Sequence, residues 1–278
     1  MTTADVSSRR IGAVRFVNTM PLIDGLDRLA GCDVRFAVPS RLIDALLADE
    51  VDVALCSSVD YQRSPEPLVI LPAGLLGCDG CTLTVRVYAD RPVDRIERVY
   101  CDTDSHTSIS LMRILLRERY GIDPECVPYE AREHAAEGEP LAWPDAMLLI
   151  GDKVVTDSPP AVRYPHQLDL GAEWRAWTGL PFVFATWVAK ATTAPERLRA
   201  IDAILDRQRR ANVERIGTIV HRAVRRHRWP LDLATAYLTR YIRYAFDPRY
   251  RRGLEHFFAK LDEHGLAPGR RPVELLAA

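Results

Sequence analysis

Four polar stretches stand at or just beyond the ends of apolar runs in this chain: Asn18-Thr19, Ser57-Ser58, Ser105-His106-Thr107-Ser108 and Gly151-Asp152. Their groups are amides and hydroxyls, with one imidazole and one carboxylate among them. Such groups donate and accept hydrogen bonds, so together they suit the capture and orientation of a small polar or anionic molecule. Each also has a plain structural explanation. Asn18 or Thr19 can start a helix at Pro21, and Ser57 or Ser58 can cap the segment that begins VDYQR. One of Ser105, Thr107 and Ser108 must be the ordinary N-cap of the next helix, although hydroxyls and free N–H groups at one helix start also make an anion site. Asp152 is either a cap or a charge that orients a loop, or it acts directly on a ligand. His106 has the chemistry of a base but occupies a capping position. No HExxH, GxSxG, P-loop or GxGxxG pattern is present. CDGC at 78–81 has no second cysteine pair or histidine pair at zinc spacing and opens no helix, so it is read as neither a metal nor a redox motif.

The elements that must position these groups follow from periodicity. Strands are expected at 11–17, 33–38, 51–56, 68–73 and 82–88, then at 98–101, 125–129, 145–150 and 181–189. Between the second and third lies PSRLIDALLADE, with Ser40 as a cap and Leu42, Ile43, Leu46 and Leu47 as one apolar stripe. A second helix runs from about 107 to 120, with Ile109, Met112, Leu115 and Leu116 on one side, and 172–178 suits a helical turn. After Pro195 the chain reads as helical to its end, in segments 195–226, 230–245 and 248–264, with joints at Pro230 and Pro248. Alternating strands and helices imply mostly parallel sheets. The expected organisation is two α/β lobes. The first comprises 1–87 and 187–278, including the helical C-terminal segment, and the second 88–186. The strands near 82–88 and 181–189 cross between them, and the polar strand ends face one gap, as ligands do in open α/β sheets.

Bulk composition narrows the partner. The chain has 278 residues, 47% hydrophobic and 27% charged, a globular profile. Thirty-eight acidic residues nearly cancel thirty-seven basic ones, so no global field draws it to nucleic acid or membrane. The Arg-rich run from Arg207 to Arg228 is interleaved with acids and has no aromatic stacked among its bases before Trp229, which reads as a solvated helix face. MTTADVSSRR lacks the apolar core of a signal peptide, so the expected compartment is the cytoplasm and the six cysteines are expected to be free thiols. Residue reading alone stops at a small-molecule cleft, with the oligomeric state, monomer or homodimer, open.

IGAVRFVNTMPL, PSRLIDALLADEVDVALCSSVDYQR, SHTSISLMRILLRERY, DAMLLIGDKVV and DLGAEWRAWTGLPFVFATW, in this order from about residue 10 to 190, resemble the chorismate dehydratase family of the futalosine route to menaquinone. The resemblance implies a two-lobed type II periplasmic-binding-protein-like fold, a cytoplasmic enzyme without cofactor or metal, and chorismate, a dicarboxylate, as substrate. It implies a role beside the reacting carbons for Asn18. Thr19, Ser57, Ser58, Ser105, His106, Thr107, Ser108 and Asp152 become substrate-binding candidates. Where the family usually shows serine on the crossover strand, this chain has Thr84, which keeps the hydroxyl and adds a methyl. Two other functions fit the same fold. One is the sister enzyme that forms 1,4-dihydroxy-6-naphthoate, which relies on a histidine. The other is a non-catalytic small-anion binding protein.

Overall fold

A computed structural model of the protein describes residues 8–130 and 143–277. Most of the MTTADVSSRR stretch, on which the signal-peptide expectation rests, lies outside the described residues. The chain opens with β1 (Arg9–Ala13), a 3₁₀ turn at Val17–Thr19, α1 (Met20–Ile23), β2 (Cys32–Phe36), α2 (Pro39–Leu47), β3 (Val53–Ser57), α3 (Ser58–Arg63) and β4 (Leu68–Cys78). It continues through β5 (Val85–Ala89), β6 (Arg98–Asp102), α4 (His106–Tyr120), β7 (Glu125–Tyr129), β8 (Ala146–Ile150), α5 (Lys153–Thr156), β9 (His166–Asp169) and α6 (Leu170–Thr178). The last part holds β10 (Phe182–Lys190), α7 (Pro195–Glu214), α8 (Ile216–His227), α9 (Leu231–Ala236), a π-helical turn at Tyr237–Tyr241, β11 (Ile242–Arg243) and α10 (Pro248–Glu263).

The strands form two sheets, in the orders β11-β4-β10-β3-β1-β2 and β7-β6-β8-β5-β9. β1 is parallel to β2 and β3, and β6 is parallel to β7 and β8, as the alternation of strands and helices requires. β10 lies antiparallel between β3 and β4, and β5 lies antiparallel between β8 and β9. All five residues of β3, Val-Ala-Leu-Cys-Ser, are buried, which suits the interior of a sheet covered on both faces. On α2 the buried stripe is Leu42, Ile43 and Leu46. Val38 holds the N-cap position, so Ser40 is not the cap; Pro39 supplies the first helical turn. α4 begins at the Ser105 cap and ends at Gly121, whose φ of 67° gives the left-handed C-terminal stop.

Crossings between the sheets fall a few residues away from the expected strands. The first runs through Asp79–Thr84, because the strand expected at 82–88 is confined to Val85–Ala89. The second is α6 with the turn that follows it, before β10 rejoins the first sheet. Asp169 fastens one crossing to the other. Its carboxylate accepts the N–H groups of Thr82 (2.9 Å) and Leu83 (2.7 Å) on the outgoing chain and caps α6 through Ala172 N–H (3.0 Å). Gly171 makes this closeness possible, since a Cβ there would stand 2.5 Å from the Gly80 carbonyl oxygen and 2.6 Å from Cys78 Sγ.

The C-terminal segment is not helical throughout. The 195–226 stretch is two helices joined at Arg215, and the helix expected over 230–245 stops at a π-turn followed by β11, which pairs with β4 at Cys78 and Gly77. The final residues return to the first sheet, where Ile70 N–H donates to the Glu274 carbonyl and Leu276 N–H to that of Ile70. Four arginines of the Arg-rich stretch are held by carboxylates: Asp206 takes Arg209 and Arg210, and Asp24 takes Arg215 and Arg222.

Candidate active site

A cavity with about 590 Å³ of free space, its mouth included, lies between the two sheets, under the C-terminal segment. Phe16, Leu55, Leu76, Val85, Ile150 and Phe184 supply apolar walls, and Asn18, Ser57, Thr82, Thr84, Ser105, Ser108 and Tyr237 supply polar atoms. Among the described wall residues only Tyr237 titrates, and neither lysine nor arginine contributes to the wall. Burial drives the Tyr237 phenol well above its usual range, and the charge of Asp152 adds to this, while hydrogen bonds from Thr84 and Asn18 pull the other way. The site is therefore a neutral, hydrogen-bonding enclosure.

Asn18 is held by turn chemistry. β1 ends at Ala13, so Asn18 stands not on the strand end but in the middle of the 3₁₀ turn. Thr19 shapes that turn. Its hydroxyl donates to the Val14 carbonyl (2.6 Å), lies 2.9 Å from that of Phe16, and accepts Phe16 N–H (3.2 Å). Thr19 thus lines the cavity with its hydroxyl already committed. Asn18 Oδ1, in contrast, is buried without a hydrogen-bond partner. A buried carbonyl oxygen left unpaired is costly, which marks it for a ligand.

The serines divide by role. Ser57 occupies the N-cap position of α3 yet makes no side-chain cap hydrogen bond, so its hydroxyl is turned to the cavity it lines. Ser105 does cap α4: its Oγ accepts Ser108 N–H (3.2 Å) and lies 3.0 Å from Ser108 Oγ. Both line the cavity, so the cap and the first turn of a fifteen-residue helix face it. Ser58 and Thr107 do not reach the cavity wall. One residue further along a helix rotates the side chain by about 100°, and both turn into the protein. Ser58 donates to the Val183 carbonyl (2.8 Å), and Thr107 Oγ1 accepts Val59 N–H (3.1 Å).

His106 and Asp152 also stand off the wall, and each joins the two halves of the molecule. His106 Nδ1 is 2.7 Å from Asp60 Oδ1 on α3, a contact from the second sheet's helix to the first's. This hydrogen bond raises the imidazole pKa against the opposing effect of burial. Gly151, with φ at 68°, turns the chain at the cavity wall, and Asp152 then points across the mouth. Its carboxylate accepts Val17 N–H (3.4 Å) beside Asn18 and pairs with His227 Nδ1 (3.0 Å) at the end of α8. Lys153 is turned away, held by Asp102 and by Asp104 (3.0 Å).

Thr84 closes the outgoing crossing. Its carbonyl accepts Gly151 N–H (2.8 Å), and its hydroxyl lies 2.6 Å from the hydroxyl of Tyr237. Residue reasoning missed Tyr237 because YLTRY carries no motif and reads as helix. Cys78 and Cys81 take no part in the wall. Burial raises both thiols, Cys81 to about 11, with Asp169 beside it raising it further, so neither is a thiolate nucleophile. Among the described residues no group of histidine, cysteine, aspartate or glutamate is placed to hold a metal ion, and no helix is long and apolar enough to cross a membrane.

Two α/β lobes, two crossings and a polar cavity between them define the class of periplasmic-binding-protein-like folds. Solved structures agree. A protein of Archaeoglobus fulgidus superposes with a TM-score of 0.73 at 15% identity, over 95% of this chain and 100% of its own. The periplasmic aliphatic sulphonate binding protein of Escherichia coli gives 0.63 at 15% identity, over 96% of each chain. At these identities the likeness is one of fold alone. The sequence is more specific. The model of a family described as menaquinone biosynthesis matches residues 9–263. A chorismate dehydratase of Thermus thermophilus is 32% identical over 261 residues, 89% of this chain and 93% of that protein. The chain belongs to this menaquinone biosynthesis family.

Proposed function

We propose that the chain is a chorismate dehydratase, a cytoplasmic carbon–oxygen lyase that converts chorismate to 3-[(1-carboxyvinyl)oxy]benzoate and water in the futalosine route to menaquinone. The observation that carries this reading is Asn18 Oδ1, a buried acceptor without a partner in the wall of a neutral cavity. It is supported by the family and by the likeness to the Thermus thermophilus chorismate dehydratase.

The chemistry suits such a cavity. The C3 proton of chorismate is allylic and vinylogous to the ring carboxylate. When the C3–H bond breaks, its electron pair enters the ring as a dienolate spread toward that carboxylate. The C4–O bond then breaks, the ring becomes aromatic, and the departing hydroxide with the C3 proton makes one water. Aromatisation supplies the driving force, so the protein's task is to orient a dianion and to stabilise charge as it spreads. Phe16, Leu55, Ile150 and Phe184 offer apolar surface to the ring. Ser57, Ser105, Ser108 and the first turn of α4 offer donors to the carboxylates. Asn18 lies beside the reacting carbons as an acceptor. An amide is a weak base, so it orients the substrate or relays the proton through water. His106, spent on Asp60 outside the wall, is not placed to serve the histidine chemistry of the sister enzyme.

Incubation of the pure protein with chorismate tests the reading. An enolpyruvyl benzoate detected by mass and ultraviolet spectrum is the expected result, and chorismate bound but unchanged would make the protein a binding protein instead.

A further inference from the structure

Tyr237 stands far along the chain from the other polar wall residues, and its surroundings fix more than its own position. It opens the π-helical turn Tyr237–Tyr241, and its ring is buried against Trp229 at 4.9 Å between centroids. Its hydroxyl stands 2.6 Å from Thr84 Oγ1, and both residues line the cavity with Asn18.

Whichever of the two hydroxyls donates, the contact fixes Thr84 Oγ1 in the wall that it shares with Asn18. We infer that Tyr237 is a positioning residue that holds the Thr84 hydroxyl in place at the cavity wall, toward the substrate. The inference rests on the dehydratase reading. An elimination is speeded by polar groups fixed in place before charge develops, and the buried phenol fixes one of them. The π-turn is the local device that places it. Its widened turn ends in β11, which anchors the segment on β4.

Five proteins test this: wild type, Tyr237→Phe, Thr84→Val, the double variant and Thr84→Ser as the conservative rescue. Steady-state kinetics with chorismate, read beside melting temperature, give the answer. Tyr237→Phe is expected to lower kcat by roughly 100-fold, the effect of misplacing a reacting group, with KM little changed. Thr84→Val should do the same, and the double variant should be no slower than the slower single one. Thr84→Ser should restore most of the rate. Should Tyr237→Phe fail to fold, Thr84→Val against Thr84→Ser reads the same contact from its other side. Equal rates for those two, kcat retained in Tyr237→Phe, or losses that multiply in the double variant overturn the inference while leaving the dehydratase reading intact. A wild-type protein that does not consume chorismate overturns both.

Discussion

His106 Nδ1 stands 2.7 Å from Asp60 Oδ1, and the two residues come from helices of opposite lobes. The pair lies beside a second link between the same helices, Val59 N–H to Thr107 Oγ1, and near Arg63 to Ser110 Oγ (3.1 Å). With Asp152 reaching Val17 and His227 across the mouth, these contacts tie the two lobes together across the cavity.

A pH dependence follows from the first of them. The Asp60 hydrogen bond raises the His106 pKa, burial lowers it, and Asp60 and Asp44 add attraction while Arg63 opposes. A raised imidazole pKa stabilises the folded form, with its lobes in contact, fully below the ordinary histidine value. That contribution is lost as pH rises through the raised value. Melting temperature is therefore expected to fall over that window in wild type, and His106→Gln should flatten the profile there. An unchanged profile in the variant would remove His106 from the contacts that tie the lobes together.

Asn18→Ala should fold normally and lose on the order of 100- to 1,000-fold in kcat, the range for removal of one preorganised polar group. Its side chain makes no cap hydrogen bond for the 3₁₀ turn, which Thr19 supports instead. A variant that loses stability while keeping its kinetics would return Asn18 to a structural role.

Ser105→Ala and Thr107→Ala should separate. Loss of the Ser105 hydroxyl removes both the α4 cap and a cavity donor, so stability falls by about 1 kcal/mol and KM for chorismate rises. Loss of the Thr107 hydroxyl leaves Val59 N–H unpaired between the lobes, with stability affected more than affinity. Calorimetry and urea unfolding read the two effects independently, and equal affinities for both variants would contradict the assignment of the α4 start as a carboxylate site.

Gly171→Ala should destabilise the molecule by about 1–3 kcal/mol, the usual cost of forcing extra atoms into a packed site. The new methyl would press on the Gly80 carbonyl and Cys78 Sγ where the two crossings meet. Denaturant midpoints measure this, and a neutral variant would show that the crossings yield more easily than their contacts imply.

Much of the candidate site was legible in the residues. Ser57 and Gly151 directly follow apolar runs that read as strands, Ser105 lies one short turn beyond another, and Asn18 follows a run whose strand ends earlier, at Ala13; the ends of such sheets face one cleft. What period cannot give is direction around a helix start, so Ser58 and Thr107 were grouped with neighbours whose hydroxyls point the other way. Asp152 and His106 read as cleft residues because their partners Val17, His227 and Asp60 are distant in sequence and near only in the fold. Tyr237 was the least legible. It reaches Thr84 across 153 residues of sequence, from a segment whose composition says only helix. The π-turn and β11 that place it are set by pairing with β4, a tertiary contact that local propensity does not encode.

The proposed reaction removes water across C3 and C4 of chorismate in this cavity, with Asn18 beside the reacting carbons. Chorismate deuterated at C3, given to wild type and to Asn18→Ala side by side and followed by mass spectrometry, tests it most directly. Wild type is expected to release an aromatic enolpyruvyl benzoate that has lost both the C4 hydroxyl and the deuterium, and Asn18→Ala to form it far more slowly. Chorismate recovered intact from wild type, or a product formed equally fast by Asn18→Ala, would contradict it.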